Sequence, residues 1–319
     1  MELKQPVSPE IHFAPMQGYT DVAFRLAYEK TLGGINYYYS PYLSIDNHLE
    51  IDNLHDISKN LRLAQVKNLI PQVLPGKLNE FILLTKMVDS LGYKRINLNM
   101  GCPYPMVIRK GRGAALIQKP DLVREMIDYV FNFSEMKLSL KIRSGLEDHR
   151  EIFTMLSNIP SEKIEYIIIH PRTASQLYKG LASVDIVREC IQLYPQIPVV
   201  YNGDIISYSD FQKKKVQLPN QNRWMIGRGL LENPFLSWQI QNQTPSLPLH
   251  SNELLIQFIK LLIVQIQLDS KDEGHALNRC KNQLAMTLKG FPEYIKFRKK
   301  IIKCRSMIEL DGITNEMSK

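Results

Sequence analysis

Eight short runs of β-branched, aromatic and apolar residues recur along this chain, and segments of helical period separate them. The runs fall at 12–16, 35–40, 69–74, 96–100, 137–142, 166–170, 198–201 and 224–226. Between them apolar residues return at helical spacing, as in Phe81, Leu84, Val88 and Leu91, in Val123, Ile127, Val130 and Phe131, and in Ile186, Cys190 and Leu193. Helix-start residues stand in the connections: Thr20 and Asp21, Asp121 after Pro120, Ser183, and Ser207. Eight strand–helix units within about 240 residues fit an α/β fold of the (β/α)8 TIM-barrel type better than an open doubly wound sheet. The stretch 46–60 is polar and poorly periodic and reads as a loop with a short helix. Gly111-Arg112-Gly113 is followed by Leu116, and Gly227-Arg228-Gly229 by Glu232, so neither completes a G-x-G-x-x-G dinucleotide fingerprint.

A second unit follows the barrel. From 241 to 249 the chain turns polar and carries Pro245 and Pro248, and a new apolar periodic segment opens at Leu254. The pattern predicts a barrel domain over 1–243 and a small C-terminal all-α domain over 250–319, with Leu254, Leu255, Phe258, Leu261, Leu262 and Ile266 on one helix. In that tail Lys289, Lys296, Arg298, Lys299, Lys300, Lys303 and Arg305 crowd around a single acid, Glu293, and the whole chain has a formal net charge of +8. Such a face suits a polyanion such as RNA; a merely solvated face is the plain alternative. The four cysteines, Cys102, Cys190, Cys280 and Cys304, are too widely spaced for a zinc motif and too few for a disulfide scaffold. With an N-terminus lacking the apolar core of a signal peptide and no uncharged membrane-length window, the expectation is a cytoplasmic protein with neither metal nor membrane association.

The chemistry-bearing residues gather at the ends of the expected strands, where a barrel assembles its site from eight loops. Ala14-Pro15-Met16-Gln17-Gly18 closes the first strand with small, rigid and flexible residues that let backbone approach a flat ring. Gln72 and Asn99 are amides within apolar runs, so each requires a partner, either a ligand or a loop backbone. Lys141 is a charge within a strand, facing an anion unless it snorkels to solvent from an edge. His170 ends the sixth run, as a catalytic group or one satisfied by nearby backbone. Asn202-Gly203-Asp204 and Gly227-Arg228-Gly229 end the last two, where glycine lets amides meet a phosphate and arginine can pair with it. Cys102, after the fourth run, is a thiol positioned to serve as acid or nucleophile. A phosphate site, amides and a lysine for a polar ring edge, and a thiol across the mouth fit flavin mononucleotide (FMN).

Six motifs in order then resemble the tRNA-dihydrouridine synthases: Ala14-Pro15-Met16-Gln17-Gly18-Tyr19-Thr20-Asp21, Asn99-Met100-Gly101-Cys102-Pro103, Lys141-Ile142-Arg143-Ser144-Gly145, His170-Pro171-Arg172-Thr173, Asn202-Gly203-Asp204-Ile205 and Met225-Ile226-Gly227-Arg228-Gly229. The resemblance implies FMN-dependent reduction of the uracil C5=C6 bond in tRNA, with NADPH or NADH as reductant. By motif position it implies that Pro15, Met16 and Gln17 line the flavin, that Gln72 and Lys141 bond its ring, that Asn202, Gly203, Asp204, Gly227 and Arg228 reach its ribityl and phosphate, and that Asn99 and His170 complete the pocket. Cys102 takes the general-acid role, protonating C5 while hydride arrives at C6, so its thiol should stay neutral. Arg109, Arg143, Arg172, Lys299 and Lys300 are candidates for RNA contact. Pro105, followed by Met106, departs from the lysine that many members place three residues beyond the cysteine. The alternatives are a flavin barrel acting on a free pyrimidine or other small molecule, which would have no use for a basic tail, and a synthase acting on ribosomal RNA.

Overall fold

The computed structural model describes residues 8–45, 61 and 66–318; the loop with a short helix expected over 46–60 lies outside the described residues. Nine parallel strands form one sheet: β1 Glu10–Phe13, β2 Tyr37–Tyr39, β3 Leu69–Ile70, β4 Gln72–Val73, β5 Arg95–Met100, β6 Lys137–Gly145, β7 Tyr166–Thr173, β8 Val199–Asn202 and β9 Arg223–Ile226. Their order is β3-β2-β1-β9-β8-β7-β6-β5-β4, and only Pro71 separates the first from the last. The sheet is therefore a (β/α)8 barrel whose third strand is split by proline. Pro71 has no N–H to give to a ladder, but its carbonyl accepts from Asn97 N at 2.9 Å while Ser40 N donates to Ile70 O at 3.1 Å. The third strand thus bonds β2 before the proline and β5 after it.

Helices form where the sequence signals them. Asp21 caps the helix Val22–Thr31, its Oδ1 accepting from Phe24 N at 3.0 Å. Pro120 occupies the first turn of Pro120–Phe133, Ser183 stands at the N-cap of Val184–Leu193, and Ser207 makes a capping box with Asp210 at the start of Tyr208–Gln217. One face of each strand packs outward on these helices: Phe13 and Tyr38 meet Phe24 and Tyr28, and Leu98 and Ile142 share a core with Leu84, Val123 and Ile127. The other face fills the lumen with a smaller apolar cluster including Ala14, Tyr39, Tyr166, Ile168, Val200 and Met225. Phe131 and Leu193, read from period as buried, are exposed; Met126, on the far side of the stripe, is buried instead of Phe131.

After residue 250 the regular elements are helical: Ser251–Asp269, Glu273–Thr287, Ile295–Lys303 and Met307–Glu316, with short 3-10 turns between the second and third. The first is long and apolar enough to cross a membrane by length and composition. Its buried stripe, Leu255, Phe258, Ile259, Leu262 and Ile266, instead joins the barrel core, with Phe258 edge-on to Phe24 at 5.5 Å and to Tyr28 at 6.1 Å. Burying one such side chain contributes about 1.5–3 kcal/mol, so this contact anchors the tail. Asp21 Oδ2 reinforces it, accepting from Arg279 at 2.8 Å and from Gln283 at 3.0 Å. The tail is thereby tied to the first turn of a helix that begins on the same side of the barrel as the strand C-terminal ends.

Candidate active site

At those strand ends one cavity of about 350 Å³ opens, within the range of small-molecule and cofactor sites. It is lined by Pro15, Met16 and Gln17 after β1, by Gln72, Asn99 and Cys102, by Lys141 and Arg143 on β6, by His170 and Arg172 on β7, by Asn202, Gly203 and Asp204, and by Gly227 and Arg228. The candidate cofactor residues and the cysteine thus converge on a single space. Arg109, Lys299 and Lys300 do not line it: Arg109 is exposed at the end of the short helix Pro105–Ile108, and both lysines are exposed on Ile295–Lys303. Tyr19, Tyr42 and Tyr104, which chain-local patterns do not single out, also face the cavity.

The buried amides satisfy one another and the loop. Asn99 Oδ1 accepts from the backbone N–H of both Gly101 and Cys102 at 3.0 Å, which folds the loop back over the end of β5. Asn99 Nδ2 donates to Gln72 Oε1 at 2.7 Å, and Gln72 Nε2 donates to Asn97 Oδ1 at 2.7 Å. Cys102 is buried, and burial pushes its thiol above the ordinary cysteine value of 9.0 despite the Tyr104 backbone bond and the nearby Lys141 and Arg143 charges. A neutral thiol is the form that can give a proton.

Cations flank this thiol. Burial, with the Arg143 charge beside it, lowers Lys141 to about 8, and Lys141 Nζ has no hydrogen-bond or ion-pair partner among the described residues. Arg143 is bound by carbonyls of Gly101 at 2.9 Å, Thr173 at 2.8 Å and Leu177 at 2.7 Å, so its guanidinium fastens the β5 and β7 loops together. Arg172 pairs with Asp204 at 2.8 Å and donates to His170 Nε2 at 3.2 Å. Arginine can only donate, so the Nε2 of a neutral His170 is the acceptor and its proton sits on Nδ1. Burial, aided by Lys141 and the arginines, holds His170 well below 6.5 and therefore neutral. Asp204 adopts φ 47°, and its carboxylate also accepts from Ala182 N at 2.9 Å, which ties the loop after β7 to the loop after β8.

The rim is aromatic and basic. Tyr104 and Tyr178 are about half exposed, and the Arg228 guanidinium lies 5.5 Å from the Tyr178 ring centroid. Next to Arg228 the backbone comes close: a Cβ on Gly227 would stand 3.2 Å from Met16 Sδ and 3.4 Å from Ala14 Cβ. That glycine keeps open the approach between the β1 and β9 loops. An ammonium without a protein partner among the described residues, a wall where Met16 packs against Gly227, and an arginine beside glycine-bearing loops after the last two strands together suit a flat, polar-edged ring that ends in a phosphate.

Fold and site define a flavin-dependent oxidoreductase built on a (β/α)8 barrel. The model of the family described as Dihydrouridine synthase (Dus) matches residues 12–318, and the chain belongs to that family. It is 32% identical over 230 residues to tRNA-dihydrouridine synthase B of Pasteurella multocida (strain Pm70), covering 71% of this chain and 67% of that one. It is 24% identical over 316 residues to the probable tRNA-dihydrouridine synthase 2 of Bacillus subtilis (strain 168), covering 98% and 94%. Among solved structures, morphinone reductase shares the fold, with a TM-score of 0.52 at 10% identity over 75% of this chain and 86% of that chain.

Proposed function

We propose that the protein reduces the C5=C6 bond of specific uridines in tRNA to 5,6-dihydrouridine, with FMN as its resident cofactor and NADPH or NADH as the reductant. The observation that carries this reading is the meeting, in one cavity, of the buried Cys102 thiol with the Lys141 amine, which has no hydrogen-bond or ion-pair partner among the described residues. Lys141 and Gln72 bond the polar edge of the ring, Pro15, Met16 and Gln17 line it, Asn99 and His170 complete the pocket, and Asn202, Gly203, Asp204, Gly227 and Arg228 hold the ribityl and phosphate end. When bound, the flavin supplies hydride to C6 of the uracil. Cys102 Sγ gives its proton to C5, which requires that the thiol be neutral beforehand, as its burial favours. Arg143 and Arg172 fasten the loops around the base and the cofactor.

A uridine in folded RNA must leave its stack to reach this depth. The exposed rings of Tyr104 and Tyr178 offer stacking faces at the rim, and the tail offers cations further out. There Lys300 is paired with Glu316 at 2.5 Å and Lys289 with Glu232 at 2.8 Å, while Arg298 donates to Ala285 O at 2.7 Å. Lys299 makes no ion pair among the described residues, so Lys299→Glu should weaken tRNA binding about three- to tenfold at low salt and lower the salt slope by about one to two. Lys300→Glu should do less. Equal losses would overturn the ranking of the two lysines, and no loss from either would remove this face from the tRNA surface. The reading as a whole is tested by mapping dihydrouridine in total RNA from cells with and without the gene. Loss from defined tRNA positions is expected; loss from ribosomal RNA alone would move the substrate, and no loss would overturn the activity.

A further inference from the structure

The cavity wall after β1 is held from outside the barrel as well as from within it. Met16, Gln17 and Tyr19 line the cavity from one short turn between β1 and the helix Val22–Thr31. The turn closes on itself: Met16 N donates to Thr20 Oγ1 at 2.8 Å, and Tyr19 N and Thr20 N both donate to Met16 O at 3.0 Å. Its first end is pinned to the sheet, where Ala14 N donates to Ile226 O at 2.9 Å. Its last end, at Thr20 and Asp21, is pinned by two arginines. The buried Arg25 of the barrel helix donates through Nη1 to Thr20 O at 2.6 Å, and Arg279 of the tail donates to Asp21 Oδ2 at 2.8 Å.

Asp21 divides its two oxygens between two tasks. Oδ1 caps the barrel helix by accepting from Phe24 N, a task that serine, threonine or asparagine performs as well. Oδ2 is given to the tail, accepting from Arg279 and from Gln283, which stand four apart on the helix Glu273–Thr287 and so on one face of it. The same guanidinium binds Asp269 Oδ2 at 2.9 Å and Ser270 Oγ at 3.0 Å, at the end of the helix Ser251–Asp269. Arg279 therefore joins both of these tail helices to the turn that carries Met16. The side chains of Arg279 and Asp21 are only 16% and 17% exposed, so removing the arginine leaves two shielded carboxylates, Asp21 and Asp269, without the charge between them. Each step from Arg279 to Met16 is a hydrogen bond or a peptide link: Arg279 bonds Asp21, Asp21 follows Thr20 in the chain, and Thr20 bonds Met16.

We propose that Arg279 and Asp21 are positioning residues for the cofactor: through them the helical tail holds the turn that presents Met16, Gln17 and Tyr19 to the cavity. The proposal rests on the reading of the cavity as an FMN site for its meaning, but not for its geometry. Neither residue lines the cavity, so they act on its ligand through the turn. The tail thereby serves the flavin as well as offering cations to RNA. Arg298 supplies a control, since its Nε donates to Ala285 O in a bond internal to the tail.

The test uses Arg279→Met, Asp21→Asn, their double variant and Arg298→Ala in the full chain, at a temperature where circular dichroism shows each to be folded. It reads amide hydrogen exchange of the turn peptide without ligand, and the FMN dissociation constant. Arg279→Met removes the charge. Asp21→Asn offers one oxygen where the carboxylate uses two. Each should speed exchange at Met16, Tyr19 and Thr20 and weaken FMN binding by about three- to tenfold, the size of coupling through a packed network. The double variant should do no more than the stronger single, because both break the same contact. Arg298→Ala should leave both quantities within about twofold of wild type. Should Arg279→Met prove insoluble, Asp21→Asn against Arg298→Ala carries the test. Junction variants that match Arg298→Ala in either quantity, or a double variant whose effect is the product of the singles, would overturn the proposal. The exchange readout needs no flavin: a wild-type protein that binds no FMN, with exchange still quickened in the variants, retains the junction and loses the flavin reading, whereas normal FMN binding untouched by the variants loses only the positioning role.

Discussion

The two ends of the barrel lumen are made by the same strands and treat their polar side chains in opposite ways. At the N-terminal floor the polar groups close on one another: His12 lies between Glu10 and Tyr39, Tyr39 on Tyr166, Arg223 3.5 Å from Glu10, and Arg95 3.0 Å from Glu165. At the mouth Lys141 has no partner among the described residues, and the carboxylate nearest Arg228, that of Asp204, is 4.0 Å away. Leaving a buried donor unmet costs about 1–3 kcal/mol. Within a mouth whose other buried polar groups are paired, the unmet Lys141 amine is the group that a ligand would satisfy. The difference separates polar residues that build the barrel from polar residues that use it, although both look alike as isolated polar letters within strands.

The strongest way to break this contrast is at Cys102. Cys102→Ala should still bind FMN and take electrons from the reductant but lose dihydrouridine formation by about 10²- to 10⁴-fold, the usual worth of a positioned proton donor. Undiminished product would reassign the donor. Lys141→Met comes next. Removing the unpartnered ammonium should weaken FMN binding by about 10- to 100-fold, the value of a charge-assisted bond. The sign in pH follows from the lowered value of about 8 in the protein alone: contact with an electron-rich ring edge favours the ammonium, so FMN binding to wild type near pH 8.5 should take up protons, and the uptake should vanish in the variant. Calorimetry in buffers of differing ionisation enthalpy reads it directly; equal uptake in both proteins would place the titrating group elsewhere.

Much of this contrast is legible in the sequence, for a definite reason. The strands appear as apolar runs because a barrel strand is covered on both faces, and the mouth residues appear because they interrupt those runs at their C-terminal ends, as Lys141, His170 and Asn202 do. Pro71 hides the split of the third strand: a proline within a six-residue run is compatible with one strand until its neighbours are known to be different strands. Tyr42 and Tyr104 are invisible because loop residues have no period to violate, and Phe131 misleads because helical spacing places it near the stripe while its ring stays exposed, with the Lys163 ammonium 4.8 Å from its centroid. The floor is the least legible part. Asn97 and Asn99 stand two apart on β5, which assigns them to one face, but the bond between Tyr39 and Tyr166 joins residues 127 positions apart and exists only once the barrel closes.

Acid sharpens the comparison further. Burial lowers both His12 at the floor and His170 at the mouth below 6.5, so both are neutral in the fold. Below pH 6.5 the unfolded chain binds protons that the folded chain refuses, and the stability present above that pH is lost as pH falls toward the folded values. Glu10, held below 4.5 by the hydrogen bond from His12, adds a loss in the same direction at lower pH. Urea unfolding at pH 7.5, 6.5 and 5.5 should therefore give a declining series, and a flat one would mean that neither histidine is kept neutral.

The smallest expected effect lies at the floor. Arg95 Nε bonds both carboxylate oxygens of Glu165, at 3.0 and 3.2 Å, and the guanidinium lies 5.4 Å from the Tyr37 ring centroid. Its side chain is 34% exposed, so solvent screens the pair, and Arg95→Ala should cost about 1 kcal/mol or less of unfolding free energy. FMN affinity and Cys102 alkylation should stay at wild-type values, because Arg95 does not line the cavity. Denaturant titration beside an FMN titration separates the two quantities. A stability loss without a binding change is what a closed floor requires, whereas a tenfold loss of FMN affinity from this substitution would show that the floor's charges reach the mouth, and the division between building and using residues would have to be drawn elsewhere.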